Sequence, residues 1–156
     1  MNTSSTNAYS FFGHRNVEKT ENLEKKIEEI VERLIKEENF NIFFFGGFGD
    51  FDELCYKIVS KLKTKYPHIQ RIFCVTEERF LKKKPTWMRE ISFEETCYFD
   101  LKYDYWYTRI YYRNCEIIDR SDKIIFYVVN KDGSGAYKAM KYAQKMKKDL
   151  INIAIS

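Results

Sequence analysis

Three short stretches carry the residue types that hold an anion. Gly13-His14-Arg15 ends the apolar run "AYSFF", Gly46-Gly47-Phe48-Gly49-Asp50 ends "NIFFF", and "NKDGSG", Asn130 to Gly135, follows "KIIFYVV". The last two are glycine-rich and run straight into helical patterns. Free backbone N–H groups and the positive end of a helix dipole would face a guest there, and a phosphate suits both. Arg15 can grip a phosphate with two parallel hydrogen bonds, against the plainer role of a surface ion pair. His14 has the chemistry of an acid or base near neutral pH, and equally that of a hydrogen-bonded loop residue. Each glycine loop taken singly also reads as a turn that needs a positive φ.

Neither loop is a standard nucleotide fingerprint. Gly47-Phe48-Gly49 would need a glycine at position 52 to complete GxGxxG, and Asp52 stands there; no GxxxxGK[ST] occurs. A dinucleotide enzyme or P-loop ATPase is thereby disfavoured. Asp52 and Glu53 read as carboxylates in the first turn of a helix, where they favour the dipole by about 0.3–1 kcal/mol without any function, or as ligand contacts. Arg113 and Asn114 sit on a helix that faces the sheet through Ile110, Cys115, Ile117 and Ile118, and serve either binding or capping.

The elements that position these residues follow from periodicity. "AYSFF" gives a first strand. From Thr20 to Glu38, apolar residues at Leu23, Ile27, Ile30, Val31, Leu34 and Ile35 mark an amphipathic helix. "NIFFF" lacks alternation, as expected of a parallel strand covered on both faces. A second helix starts at about Asp50, and "RIFCVT" is a third strand. "KIIFYVV" and "LINIAI" give the fourth and fifth, separated by the helix "GAYKAMKYAQKMKK". Alternating strands and helices predict a Rossmann-like, doubly wound α/β sheet of about five mainly parallel strands, order 3-2-1-4-5, with helices on both faces. The ligand crevice then lies beyond the carboxyl ends of the first and fourth strands. Glu77 to about Asp104 is the least regular stretch, leading into a helix from roughly Tyr105 to Arg120.

Composition bounds the classes. With 156 residues, 44% hydrophobic and 32% charged, one domain over residues 8–156 is expected, after a disordered tail at 1–7. The net charge of +4 comes from interleaved signs, so nucleic acid is permitted but not indicated. The aromatic content of 17% is high; the cluster Tyr103, Tyr105, Trp106, Tyr107, Tyr111 and Tyr112 reads as core or dimer interface in preference to a base-stacking surface. The four cysteines have no CxxC spacing and read as reduced and structural. No signal peptide or span of roughly 18 apolar residues is present, which predicts a cytoplasmic protein without a membrane partner.

"FFGHRN", "FFFGGFGDFDEL", "RNCEIIDRSDKIIFYV", "GSGAYKAMKYA" and the closing "INI" together resemble the SLOG superfamily, the Rossmann-like group that includes the DNA-processing protein A domain and the lonely guy phosphoribohydrolases. The chain is most similar to its small "GHR" proteins of Firmicutes. The resemblance runs from Ala8 onward and is poor over Glu77 to Asp104. It implies binding of a nucleotide or nucleotide-derived, ADP-ribose-like ligand, with Gly13, His14, Arg15, Gly46, Gly47, Gly49, Asp52, Arg113, Asn114, Asp122, Gly133, Ser134 and Gly135 as the ligand-binding set. Asp52 matches the aspartate of the DNA-processing protein pattern, a ribose contact by this resemblance. Asp122 serves either to orient Arg113 or to satisfy a loop.

In lonely guy enzymes, an arginine eight residues before a Ser-Asp pair works with the glutamate of a GGxGTxxE motif to cleave a nucleotide N-glycosidic bond. Arg113 stands eight residues before Ser121-Asp122, but Ala139 occupies the place of that glutamate. Glu53 completes a GGxGxxxE spacing in the wrong loop. The resemblance therefore implies a sensor or binding protein first. The alternatives are an N-glycosidic hydrolase or transferase with Arg113 and Glu53 as catalytic pair, and a single-stranded DNA module, the last set aside for its weak basic clustering. No metal or cofactor is implied, and a homodimer is expected.

Overall fold

The computed structural model describes residues 7–46, 49–83, 92–129 and 134–154. Gly47 and Gly133 of the expected site, and nearly all of the expected tail, lie outside them. The elements run β1 (Asn7–Gly13), α1 (Glu21–Glu38), β2 (Phe40–Phe45), α2 (Gly49–Lys65), β3 (Gln70–Val75), a 3-10 turn (Glu78–Leu81), β4 (Glu95–Tyr98), α3 (Trp106–Asp119), β5 (Lys123–Tyr127), α4 (Gly135–Lys145) and β6 (Asp149–Asn152).

All five pairings between neighbouring strands are parallel, in the order β4-β3-β2-β1-β5-β6. The expected order is reproduced over five strands, and the expected count is corrected to six. The additional strand, β4, extends the sheet beyond β3 within the stretch that carried no periodic signal. Its four residues are nowhere fully buried, because an edge strand lacks the two-sided cover that marks a parallel strand in sequence.

Alternating side chains divide the core in two. Tyr9, Phe11, Phe43, Phe45 and Ile125 pack with α1 and α2 on one face. Ala8, Phe12, Phe44, Ile124 and Phe126 meet Ile117, Ile118 and Ala139 of α3 and α4 on the other. Much of the aromatic excess sits in the first layer, where Phe11 stacks on Phe45 at 5.2 Å between ring centroids and Tyr9 meets Phe11 edge-on at 5.3 Å.

The helix boundaries follow local chemistry. The Thr20 side chain accepts the Leu23 amide at the start of α1, and Asn39 closes that helix in the left-handed region at φ 57°. Ser134 caps α4 by accepting from the Tyr137 amide. Gly49 opens α2 at φ +92°, and a Cβ there would lie 2.7 Å from the Arg15 Cα. Glycine thus lets the β2–α2 junction lie against the chain leaving β1, and the Asp50 amide donates to the Arg15 carbonyl at 2.8 Å across this contact.

Candidate functional site

A cleft of about 270 Å³ opens at the carboxyl ends of β1, β2 and β5, where the order of the sheet reverses. β1 and its loop contribute Phe11, Phe12, Gly13, His14 and Arg15; Gly46 comes from the end of β2 and Asp52 from the first turn of α2. Ile110, Arg113 and Asn114 project from α3, and Ser134, Gly135 and Ala136 form the start of α4. Nine of the expected site residues therefore meet in one place.

Arg113 lies at its floor, only 4% exposed. Its Nη1 donates to the carbonyls of Gly46 at 3.1 Å and Cys74 at 3.4 Å, and its Nη2 donates to Asn114 Oδ1 at 3.0 Å. Burial draws the guanidinium below its usual pKa, with Cys74 and Asp52 acting in the opposite direction. A Cβ on Gly46 would fall 2.7 Å from Arg113 Nη2. The glycine at the end of β2 is thus the space in which the guanidinium rests.

Gly13 has a comparable role, since a Cβ there would lie 2.4 Å from the Phe51 ring. The close approach seats the first turn of α2, and with it Asp52, against the end of β1. His14 joins the two strands that flank the cleft: its amide donates to the Tyr127 carbonyl at 3.2 Å, and its Nε2 accepts the Val129 amide at 2.7 Å. That acceptor role leaves the proton of the neutral ring on Nδ1. Arg15 stands exposed at the mouth.

Three expected residues are placed elsewhere. Glu53 points away from the cleft, is half exposed, and pairs with Lys57 at 3.0 Å and Lys19 at 3.6 Å. The Lys57 contact, aided by Lys19, holds its carboxyl below the usual range, the opposite of what a proton donor at neutral pH requires. Asp122 precedes β5 at the amino end of the sheet, where it accepts the Ala8 amide at 2.8 Å and returns a bond to the Ala8 carbonyl. Its neighbour Ser121 is buried against Ser10 and the Ile117 carbonyl. Gly49 shapes the loop without lining the cleft.

Phe11, Phe12, Ile110 and Ala136 line the cleft without having been expected there. Ile110 was recoverable from sequence, because it sits one turn before Arg113 on the same helix face. The aromatic run departs from the core half of its expectation. Tyr105, Trp106 and Tyr107 are 57–66% exposed, and Tyr103 and Tyr112 about 40%. Many of these rings line a broad groove of about 1440 Å³ along α3 and α4, which shares Arg15, Ile110, Asn114 and Gly135 with the cleft and also carries Lys138, Lys141 and Lys145. Among the described residues, no helix is long and apolar enough to cross a membrane, and no group of three or more His, Cys, Asp or Glu could hold a metal ion.

No family model matches the chain, and neither does any curated protein. Among solved structures it is similar to DNA processing protein A from Streptococcus pneumoniae (TM-score 0.67, 13% identity, 93% of this chain and 49% of that one). It is also similar to DNA processing protein A from Helicobacter pylori, whose structure is described for its single-stranded DNA binding mode (0.64, 17%, 92% and 63%), and to the protein TM1055 (0.58, 12%, 93% and 72%). The chain spans about half the length of the first of these.

The matches overturn the expectation that set nucleic acid aside, since a protein of this fold is described with single-stranded DNA. Interleaving of charge along a sequence does not fix where charge gathers after folding: Lys138, Lys141 and Lys145, at helical spacing on α4, border one groove. The chain has a Rossmann-like α/β fold similar to that of DNA processing protein A.

Proposed function

We propose that the cleft binds the phosphate of a nucleotide or nucleotide-derived ligand, and that the protein acts by binding. The observation that carries this reading is the Arg113 guanidinium, buried at 4% exposure on the floor of a cleft that also gathers Arg15 and the amino end of α4. Its protein partners hold the guanidinium in place, and an anion converging on it and on a helix N-terminus would gain charge-assisted hydrogen bonds. The small cleft suits a phosphate and part of a sugar, with the base extending into the adjoining groove. Glu53 lies outside, and Asp52 is the only carboxylate among the described lining residues, which favours binding over N-glycosidic cleavage. Titration calorimetry with AMP, ADP-ribose and adenosine tests the reading: the two phosphate-bearing ligands are expected to bind and adenosine to give no heat. Equal binding of adenosine would refute it.

A single nucleic acid strand is the second reading, favoured by the continuity of the cleft with a groove that combines exposed aromatic rings and three lysines. Stacking on such rings contributes about 1–3 kcal/mol per base. Fluorescence anisotropy with a labelled thymidine oligomer is expected to show binding that weakens as salt rises and falls in Trp106→Ala. Salt-independent binding, or none, excludes this reading.

A further inference from the structure

Cys74 of β3 and Cys97 of β4 are register partners across a parallel strand pair. Their side chains lie on the same face of the sheet, against the core beneath α3 and α4, and each thiol perturbs the other. Neighbouring strands lie about 4.7–4.9 Å apart, inside the range of about 4.4–6.8 Å between Cα atoms that a disulfide spans. Cys97 belongs to the edge strand and is partly exposed, whereas Cys74 is fully buried. Cys55 and Cys115 lie on other elements, α2 and α3.

We propose that Cys74 and Cys97 are an oxidisable dithiol that closes to a disulfide between β3 and β4 on reaction with hydrogen peroxide. The Cys97 thiolate attacks one peroxide oxygen and breaks the O–O bond, giving the Cys97 sulfenic acid and hydroxide. The Cys74 sulfur then attacks the sulfenic sulfur, and its proton leaves with the departing oxygen as water. The two thiols lose two electrons together, and peroxide is reduced to water.

The local chemistry assigns these roles. The neighbouring Cys74 thiol holds the Cys97 thiol below its usual pKa; burial opposes this and the Arg120 guanidinium adds to it. Cys74 is raised by the same contact and then by burial. Cys97, the thiol that is partly exposed to a reagent, is therefore the attacking sulfur, and the buried Cys74 is the resolving one. The bond has a route to the cleft, because the Cys74 carbonyl accepts from Arg113 at 3.4 Å. Closing the pair shifts that carbonyl and the guanidinium resting on it.

The test uses the full chain, reduced and then exposed to peroxide, with peptide mapping under non-reducing conditions. The expected product links the Cys74 and Cys97 peptides, weighs two hydrogen atoms less, and reverts with dithiothreitol. Cys97→Ser is expected to form no link, and Cys74→Ser to leave Cys97 as a sulfenic acid captured by dimedone. Links to Cys55 or Cys115, or direct over-oxidation of Cys97 in the wild-type chain, would overturn the proposal. The route to the cleft is read without any ligand, from the Arg113 side-chain N–H signal in a ¹⁵N NMR spectrum. It is expected to move on oxidation of the wild-type chain and to hold still in Cys97→Ser; an unmoved wild-type signal removes the coupling.

Discussion

Replacing Arg113 by methionine separates a ligand-binding guanidinium from a structural one. The side chain is 4% exposed and donates to Gly46, Cys74 and Asn114. Methionine approximates the volume of the stem, leaves these acceptors without this donor at about 1–3 kcal/mol for each that stays buried and unsatisfied, and removes a desolvated charge whose burial costs several kcal/mol. The opposing terms leave Arg113→Met within about 2 kcal/mol of the wild type in urea unfolding. Binding has no such compensation. Charge-assisted hydrogen bonds to a phosphate contribute about 1.5–3 kcal/mol, so the affinity for AMP measured by calorimetry is expected to fall about 10- to 150-fold. A variant destabilised by about 3–5 kcal/mol that binds AMP as tightly as the wild type would refute the reasoning and make Arg113 a purely structural residue.

Gly13→Val places a branched side chain where even a Cβ lies 2.4 Å from Phe51, itself fully buried; a loss of about 1–3 kcal/mol or more in urea unfolding is expected. Gly49→Ala meets the Arg15 Cα at 2.7 Å in a left-handed backbone, and it is expected to weaken AMP binding as well as lower the melting temperature, because the displaced chain carries Arg15. Glu94 accepts from Arg71 Nη2 at 2.7 Å and Nε at 3.0 Å, and this contact depresses its carboxyl below the ordinary 4.5. A depressed folded-state value means that the contribution is complete above the unfolded pKa and is lost as pH falls through the folded one. Urea unfolding of the wild type is therefore expected to weaken below pH 4.5, with a shallower loss in Arg71→Met.

The fold was legible because the strands that carry it are apolar on both faces: Phe43, Phe44 and Phe45 fill both core layers with no polar residue between them. β4 was not, since "ETCY" is short, half exposed and at the sheet edge. The glycines were legible as close turns after β1 and β2 but not in their mode of action. Gly13, Gly46 and Gly49 admit Phe51, Arg113 and the Arg15 backbone respectively, contacts between segments far apart in the chain. Asp52 and Glu53 could not be ranked from spacing, because adjacent helical residues differ by about 100° in direction and only the docked helix shows which one faces the cleft. Asp122 was open to a stricter reading, since a residue that precedes a parallel strand lies at the amino end, across the sheet from the crevice.

The most direct test of the phosphate cleft is a crystal structure of the chain grown with AMP. The phosphate is expected between Arg15, the amino end of α4 and Arg113, within hydrogen-bonding distance of the Arg113 guanidinium. A phosphate bound away from Arg113, with the cleft at the carboxyl ends of β1 and β5 unfilled, would contradict the account.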